Sequence, residues 1–319
     1  MKTLLVIGGT GFFGESFRDA FRRGVLDFYD VKRLILASRS AIPSRENLDS
    51  ERVLEYIQLD VTKDRTFPNA EYVIHAAATT NAARYLSDGQ AEHLNITTGV
   101  SNFAEFGGHT YRESSILFTS SGAVYGVPGP RLEDFSENNT LVNFELLAPT
   151  KRDYADAKLQ AEDEFSKLGK RHGISVSIAR CFAFVGRRLP RDQHFAVGNF
   201  IKNILSSEPI IVRARHAVVR SYMHADELVH WLMRILQSGN TECPIFNVGS
   251  DDAIELHDLA KVLASEFKIP LMMQTVSEPE IDFYVPNIDK AKNKLGLKVE
   301  YGSYEAILRT IHEIKTATD

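Results

Sequence analysis

A buried-type strand that runs straight into a glycine-rich turn and then into an amphipathic helix leaves a chain few folds to choose from. Residues 3–8 read TLLVIG, Gly8-Gly9-Thr10-Gly11-Phe12-Phe13-Gly14 follows, and the amphipathic stretch ESFRDAFRRG comes next. Glycines at such a turn let the backbone reverse tightly, approach a pyrophosphate closely and pack the helix against the strand. The N-terminus of that helix offers unpaired N–H groups and the positive end of a dipole to phosphate. Two spacings overlap here: Gly8, Gly11 and Gly14 give GxxGxxG, while Gly9, Gly11 and Gly14 give GxGxxG. A glycine pattern alone can be no more than a tight turn. Its context, after a buried strand and before a helix, makes it an expectation of dinucleotide binding.

The strand in front of the turn is one of several. Short apolar runs stand at 3–8, 33–38, 54–59, 72–77, 115–120 and 176–185, dense in Val, Ile, Leu and Phe and without polar alternation. Such runs suit strands buried on both faces. Helix-like stretches lie between them at 14–28, 92–106 and 153–169. This repetition predicts an α/β fold, a Rossmann-like doubly wound parallel sheet with helices over both faces. The last third changes rhythm, with helices expected at 196–207, 225–237, 254–267 and 302–316 and short strands at 210–213 and 245–248. That predicts a smaller, mostly helical lobe at 181–319 packed at the edge of the sheet body at 1–180, with later chain segments free to return to that body. A length of 319 residues suits two such unequal units.

Composition narrows the partners. Lys and Arg total 37 against 42 Asp and Glu, a formal charge of −5, so neither nucleic acid nor an anionic membrane is expected as a partner. The two cysteines, Cys181 and Cys243, make no disulfide framework and no metal-ligand spacing. No metal is expected, and the thiols read as reduced and the chain as cytoplasmic. No apolar run nears the roughly 18 residues that span a bilayer, and the N-terminal run ends in glycines without a signal-peptide cleavage site.

The second run ends at Ala37-Ser38-Arg39-Ser40, where an NAD enzyme usually places a carboxylate for the ribose hydroxyls. Ser38 and Arg39 can instead receive a 2′-phosphate, so the expected cofactor is NAD or NADP with NADP slightly favoured; a solvated arginine is the plain alternative. Asp60-Val61 follows the third run, placed either to contact adenine or to cap the turn through Thr62.

Tyr154-Ala-Asp-Ala-Lys158 carries the chemistry. Positions i and i+4 share one helix face, so the phenol and the ammonium point into the same space. A phenol with a pKa near 10 is a poor base at neutral pH, and a nearby cation favours its phenolate. Alone, YxxxK can be an ordinary solvated face. It gains weight from Ser120-Ser121 at the end of the 115–120 run, because strand C-termini line the ligand crevice of such sheets. His75, inside an apolar run, reads as a satisfied core histidine, and Cys181 as a small buried hydrophobe.

Taken together, GGTGFFG (8–14), HAAA (75–78), TSSGAVYG (119–126), YADAK (154–158) and RSYMHADEL (220–228) resemble the extended short-chain dehydrogenase/reductase family, in particular its nucleotide-sugar epimerase/dehydratase group. The resemblance runs to the VPNIDKAKNKLGL segment. It implies a bound nicotinamide cofactor, a nucleotide-diphosphate sugar as substrate, and a homodimer formed through helices including 92–106 and 153–169. It further implies Ser121 as the catalytic hydroxyl, Tyr154 as the acid/base, and Lys158 as ribose anchor and pKa modulator. By the same carry-over Asn95 is the family asparagine, Ala76 and Ala77 skirt the cofactor, Arg220 binds the diphosphate and Asn199 contacts the nucleotide base. Arg213, Arg215 and His216 stand near Arg220 and read equally well as a solvated strand.

Four departures fall mainly in the substrate half. The dehydratases' Asp-Glu pair is replaced by Gly122 and Ala123, which move no proton, so sugar dehydration is not expected. Ala183 stands where many epimerases carry a phosphate-touching asparagine. The usual arginine-bearing segment reads Ser277-Glu278-Pro279-Glu280-Ile281-Asp282, and the spacing from Asn95 to Gly99 is uncommon. The expected activity is an NAD(P)-dependent nucleotide-sugar epimerase working through a keto intermediate. The alternatives are an NADPH-dependent ketoreductase and a nucleotide-sensing protein without turnover.

Overall fold

The computed structural model describes residues 1–78, 88–127, 135–139, 146–192 and 195–316. Its strands, in chain order, are β1 (Lys2–Ile7), β2 (Val31–Ser38), β3 (Ser44–Asn47), β4 (Val53–Gln58), β5 (Tyr72–His75), β6 (Ser115–Ser121), β7 (Ser175–Cys181) and β8 (Phe184–Val185). They continue with β9 (Ile210–Val212), β10 (Ala217–Arg220), β11 (Met223–His224), β12 (Ile245–Val248), β13 (Ile254–Glu255), β14 (Leu271–Met273) and β15 (Ile281–Tyr284). The helices are α1 (Phe12–Arg22), α2 (Gly89–Thr110), α3 (Pro149–His172), α4 (Ala196–Leu205), α5 (Ala225–Gln237), α6 (Leu256–Phe267), α7 (Asp289–Leu295) and α8 (Ser303–Thr316). None of the described helices is long and apolar enough to cross a membrane.

Eight strands form the central sheet in the order β12-β7-β6-β5-β1-β2-β4-β3. Its pairings are parallel except that β3 runs antiparallel to β4. From β1 the chain winds outward through β2 to β4, then returns to β5 on the other side of β1 and winds the opposite way. That reversal opens a crevice beyond the carboxyl ends of β1 and β5.

Side chains alternate across each buried strand, and both sets find an apolar layer. Leu4 and Val6 pack with Leu34, Leu36, Phe17 and Phe21 of α1, and Trp231 and Leu232 of α5. Leu5 and Ile7 face the other way, onto Ile96, Val100 and Phe103 of α2 and Ala157, Ala161 and Phe165 of α3. A separate core joins Phe200 and Ile204 of α4, Leu259 and Leu263 of α6, and Ile307 and Ile311 of α8.

The structure places three segments more finely than the sequence reading did. The strand expected over 176–185 is two strands, because the chain leaves the sheet after Cys181 and β8 pairs with β11 instead. The strand at 245–248, expected among the lobe elements, is β12 and lies against β7 in the main sheet. Helix α5 likewise covers that sheet, its Trp231 and Leu228 lying in the same core as Leu4. The later chain therefore crosses back to the first body before α6 and α8 complete the second.

One polar network is buried inside this apolar frame. Glu162 of α3 accepts from Ser120 Oγ of β6 at 2.5 Å and from Arg180 of β7, Nε at 3.0 Å and Nη2 at 2.8 Å. The Arg180 guanidinium lies 4.9 Å from the Tyr125 ring, and Tyr125 OH donates to Asn247 of β12 at 2.8 Å. Removing one partner of a buried pair leaves an uncompensated charge, which costs about 3–5 kcal/mol. Glu162→Ala is therefore expected to lower unfolding stability by about that amount in chemical denaturation. The double variant Glu162→Met/Arg180→Met should lose much less, since the charge goes with its partner.

Candidate active site

A cleft of about 1320 Å³ opens at the carboxyl ends of β1, β2, β5, β6 and β7. At its cofactor end Gly8 has φ +96°, and a Cβ there would lie 2.6 Å from Ala76 O. A Cβ on Gly14 would lie 2.2 Å from Gly9 O. Side chains at either place would fill the turn. Gly8 N and Gly9 N both donate to Ala37 O, at 2.8 and 2.9 Å, fixing the loop over the end of β2. Gly11 caps α1 without a side-chain hydrogen bond, so the first-turn N–H groups of Phe12, Phe13 and Gly14 are left for a ligand. The space and the donors fit a dinucleotide pyrophosphate.

Gly8, Thr10, Gly11, Phe12, Phe13, Arg39, Val61, Ala76, Ala77 and Asn95 all line this cleft, whereas Gly14 and Asp60 do not. Asp60 accepts instead from Thr62 N at 3.0 Å and Thr62 Oγ1 at 2.7 Å. Burial opposes its ionisation, but those hydrogen bonds hold its carboxyl below the ordinary range. It caps the turn, the plainer of its two expected roles. Three hydroxyls converge beside Arg39: Thr10 Oγ1 lies 3.0 Å from Ser38 Oγ and 3.4 Å from Ser40 Oγ. Arg39 Nη1 donates to Asn95 Oδ1 at 3.2 Å. The part played by Ser40 was not read from the sequence, because the loop that brings it to Thr10 has no residue signature.

The reacting end is built by β6 and α3. Ser120 turns inward to Glu162, so by alternation Ser121 faces the cleft. Ser121 Oγ accepts from Ala123 N at 3.2 Å, capping the short turn Gly122–Tyr125. Helix α3 starts on Pro149, whose missing N–H is an orphan at a helix start anyway. One turn in, it presents Tyr154 and then Lys158. The Ser121 side chain hydrogen-bonds the Tyr154 phenol. Lys158 is 2% exposed, donates to Thr119 O at 2.9 Å, and places Nζ 5.8 Å from the Tyr154 ring centre. The three residues expected to carry the chemistry thus share one wall.

The electrostatics depart from the sequence argument. Burial, then the neighbouring Tyr284, pushes the Tyr154 phenol well above its ordinary pKa, against the Ser121 hydrogen bond. Burial pulls the Lys158 ammonium down to about 8. Desolvation outweighs the cation here because the ammonium is tied to Thr119 O rather than to the phenol oxygen. With only the protein's own groups around it, Tyr154 is therefore a proton donor. Burial pushes Cys181, on the same wall, up to about 12, leaving it an unreactive thiol.

His75 also differs from expectation. It is 1% exposed, packed edge-on against Phe103 and Phe165 at ring distances of 5.2 and 5.4 Å. Neither ring nitrogen has a partner among the described residues. Burial and then the Lys158 charge pull its pKa down to about 3, so it is neutral.

At the substrate end Arg220 lines the cleft and is bound by Asp282, Nη2 to Oδ2 at 2.6 Å. Asn199 lies in α4, where the wall is made by Phe195, Ala196 and Val197 and not by Asn199 itself. Arg213 and Arg215 are exposed and off the wall, while His216 lines it. Tyr284 was missed by sequence reading. A Cβ on Gly122 would lie 2.7 Å from its hydroxyl, so the glycine that departs from the family pattern is what admits this second phenol. That departure was the available signal. Away from the cleft, His224, Asp226 and Glu313 approach within 4.8 Å as a set of possible metal ligands, but Arg23 and Arg309 pair with the Asp226 carboxylate.

Known proteins resemble this chain in sequence and in fold. The chain is 28% identical over 301 residues to UDP-glucuronic acid decarboxylase 6 of Arabidopsis thaliana, covering 92% of this chain and 83% of that one. It is 26% identical over 329 residues to UDP-glucuronate 4-epimerase 1 of the same plant, covering 93% and 72%. Its fold superposes on the UDP-glucose 4-epimerase of Thermotoga maritima, solved with UDP-glucose, with a TM-score of 0.76 at 19% identity, covering 99% of this chain and 100% of that one. The sequence profile of the NAD dependent epimerase/dehydratase family matches residues 4–249. With the profile spanning most of its length, the chain belongs to the NAD dependent epimerase/dehydratase family.

Proposed function

We propose that this protein epimerises a nucleotide-linked sugar through a transient keto intermediate, with NAD or NADP as its resident cofactor. The observation that carries the reading is the Ser121–Tyr154 hydrogen bond with Lys158 one helical turn on, at the mouth of the glycine cradle. Gly8, Thr10, Gly11, Phe12, Phe13, Gly14, Arg39, Val61, Ala76, Ala77, Asn95 and Lys158 would hold the dinucleotide. When bound, its nicotinamide supplies the hydride acceptor and donor that no side chain offers. Tyr154, as phenolate, takes the proton of the sugar hydroxyl, and the Lys158 ammonium and the Ser121 hydroxyl stabilise that anion. In the return step the phenol gives the proton back to the carbonyl oxygen. Positioning by the rigid wall does much of the work.

A second reading, a ketoreductase that uses NADPH once, is favoured by two observations. The Thr10, Ser38 and Ser40 hydroxyls with Arg39 suit a 2′-phosphate, and a protonated Tyr154 is poised to give its proton to a ketone. Sugar dehydration is not supported, since Gly122 and Ala123 carry no group that moves a proton. UDP-linked sugars are the first probes, because the named relatives act on them by name.

Three outcomes are expected. Tyr154→Phe should cut turnover about 10²- to 10⁴-fold while cofactor affinity, read by titration, stays unchanged; retained turnover contradicts the mechanism. Arg39→Ala should weaken NADP about tenfold or more, by the loss of a charged hydrogen bond, and leave NAD affinity in place; equal losses for both contradict the 2′-phosphate role. Lys158→Met should abolish turnover yet raise the melting temperature. The folded pKa of Lys158 lies at about 8 against 10.5 for the free side chain. Below 8 both states carry the charge and the fold bears the full cost of burying it. As pH rises from 8 towards 10.5 the folded state sheds its proton first, so the wild type gains on the variant and the gap in melting temperature narrows. A gap independent of pH contradicts the buried-charge account.

A further inference from the structure

A guanidinium has five N–H donors in a fixed fork, and how many it has left determines what anion it can hold. Arg220 ends β10, which pairs in parallel with β15 so that Arg220 lies opposite Tyr284 and Val218 opposite Asp282. Its Nη1 donates to Asp282 O at 2.7 Å and to Val219 O at 2.9 Å, and its Nη2 to Asp282 Oδ2 at 2.6 Å. Three of the five donors are thus used by the protein. Among the described residues the Nε–H and one Nη2–H remain without a partner, enough for one phosphate group and too few to span two.

The charge around the arginine runs the same way. Glu280 and Asp282 line this end of the cleft with Arg220 and His216, and Glu278 lies 3.6 Å from His216 Nδ1. The only guanidinium at this end of the described wall, Arg220, thus faces two lining carboxylates, with a third beside the histidine. Ser277 and Glu278 supply no second cation, and among the described residues the other lysines and arginines of the cleft wall, Arg39, Lys151 and Lys158, stand after β2 and on α3. The Arg220 and Asp282 side chains are 23% and 42% exposed, so solvent screens the pair and the carboxylate is not locked in place by packing.

We infer that Asp282 is a specificity-determining residue, an internal anion that occupies Arg220 and sets the substrate end of the cleft against diphosphate groups. Affinity for a nucleotide-linked sugar then comes from its base and its sugar rather than from its phosphates. A free nucleoside diphosphate, stripped of the sugar, is held weakly. This rests on the nucleotide-sugar reading above, and Asp282 acts through Arg220 rather than on the reacting atoms.

The test is isothermal titration of UDP, and separately of inorganic pyrophosphate, into the full chain saturated with NADP⁺. Wild type, Asp282→Asn and Asp282→Ala are compared, each with and without Arg220→Ala. Freeing the fork should tighten both ligands about tenfold, a change of about 1.4 kcal/mol, and the gain should vanish when Arg220 is also replaced. Affinities for UDP that stay within about twofold of wild type overturn the inference and leave the nucleotide-sugar reading standing, as does a gain that persists without Arg220. If no variant binds UDP or pyrophosphate while NADP⁺ still binds, both fall.

Discussion

The Glu162 carboxylate is the interaction on which the site depends. It is held by Ser120 from β6 and by the Nε–Nη2 edge of the Arg180 guanidinium from β7, while belonging to α3 itself. Each of its partners is one residue away from a cleft residue: Ser120 precedes Ser121, and Arg180 precedes Cys181. Lys158 is one helical turn before Glu162 on the same face of α3. A single buried ion pair therefore sets the distance between the strand end that offers the hydroxyl and the helix that offers the phenol and the ammonium. An apolar contact of the same volume would pack these elements but would not fix their relative rotation as closely, because hydrogen bonds are directional.

That rigidity has an electrostatic consequence. The walls that align Tyr154 and Lys158 also bury the ammonium and half-bury the phenol. Each is then shifted toward its neutral form, the phenol upward and the ammonium down to about 8. Neither group is poised as a base by the protein alone. A buried ammonium beside a protonated phenol is what a bound cofactor and substrate would have to rearrange.

Much of this was legible in the sequence, and the reasons are local. The buried strands announced themselves because a strand covered on both faces must be apolar throughout. The glycine turn was legible because no other residue fits at Gly8 or Gly14. Tyr154 and Lys158 were legible because four residues make one helical turn. What stayed hidden depends on contacts between distant segments. The placement of β12 beside β7 is set by Asn247, which reaches Tyr125, Phe135 and Asn287, and no short window of sequence shows that. The same holds for Tyr284 beneath Gly122 and for Asp282 on Arg220, both supplied by a four-residue strand too short to show a period. The sign of the Tyr154 shift was misjudged because spacing tells that a cation is near, but not that its proton is given to a backbone carbonyl.

The cofactor half and the substrate half thus differ in how far they follow the family pattern. The glycine cradle, the strand-end hydroxyl and the phenol keep it, while Gly122, Ala123, Ala183 and the segment before Asp282 do not. The central claim is that the retained wall performs a redox step on a sugar carbon and reverses it. Rapid mixing of the NAD(P)⁺-loaded protein with a nucleotide sugar shown to bind tests this directly. The account predicts a reduced-nicotinamide absorbance that rises and then decays as product forms; a sugar that binds and turns over with no such transient and no net reduction would contradict it.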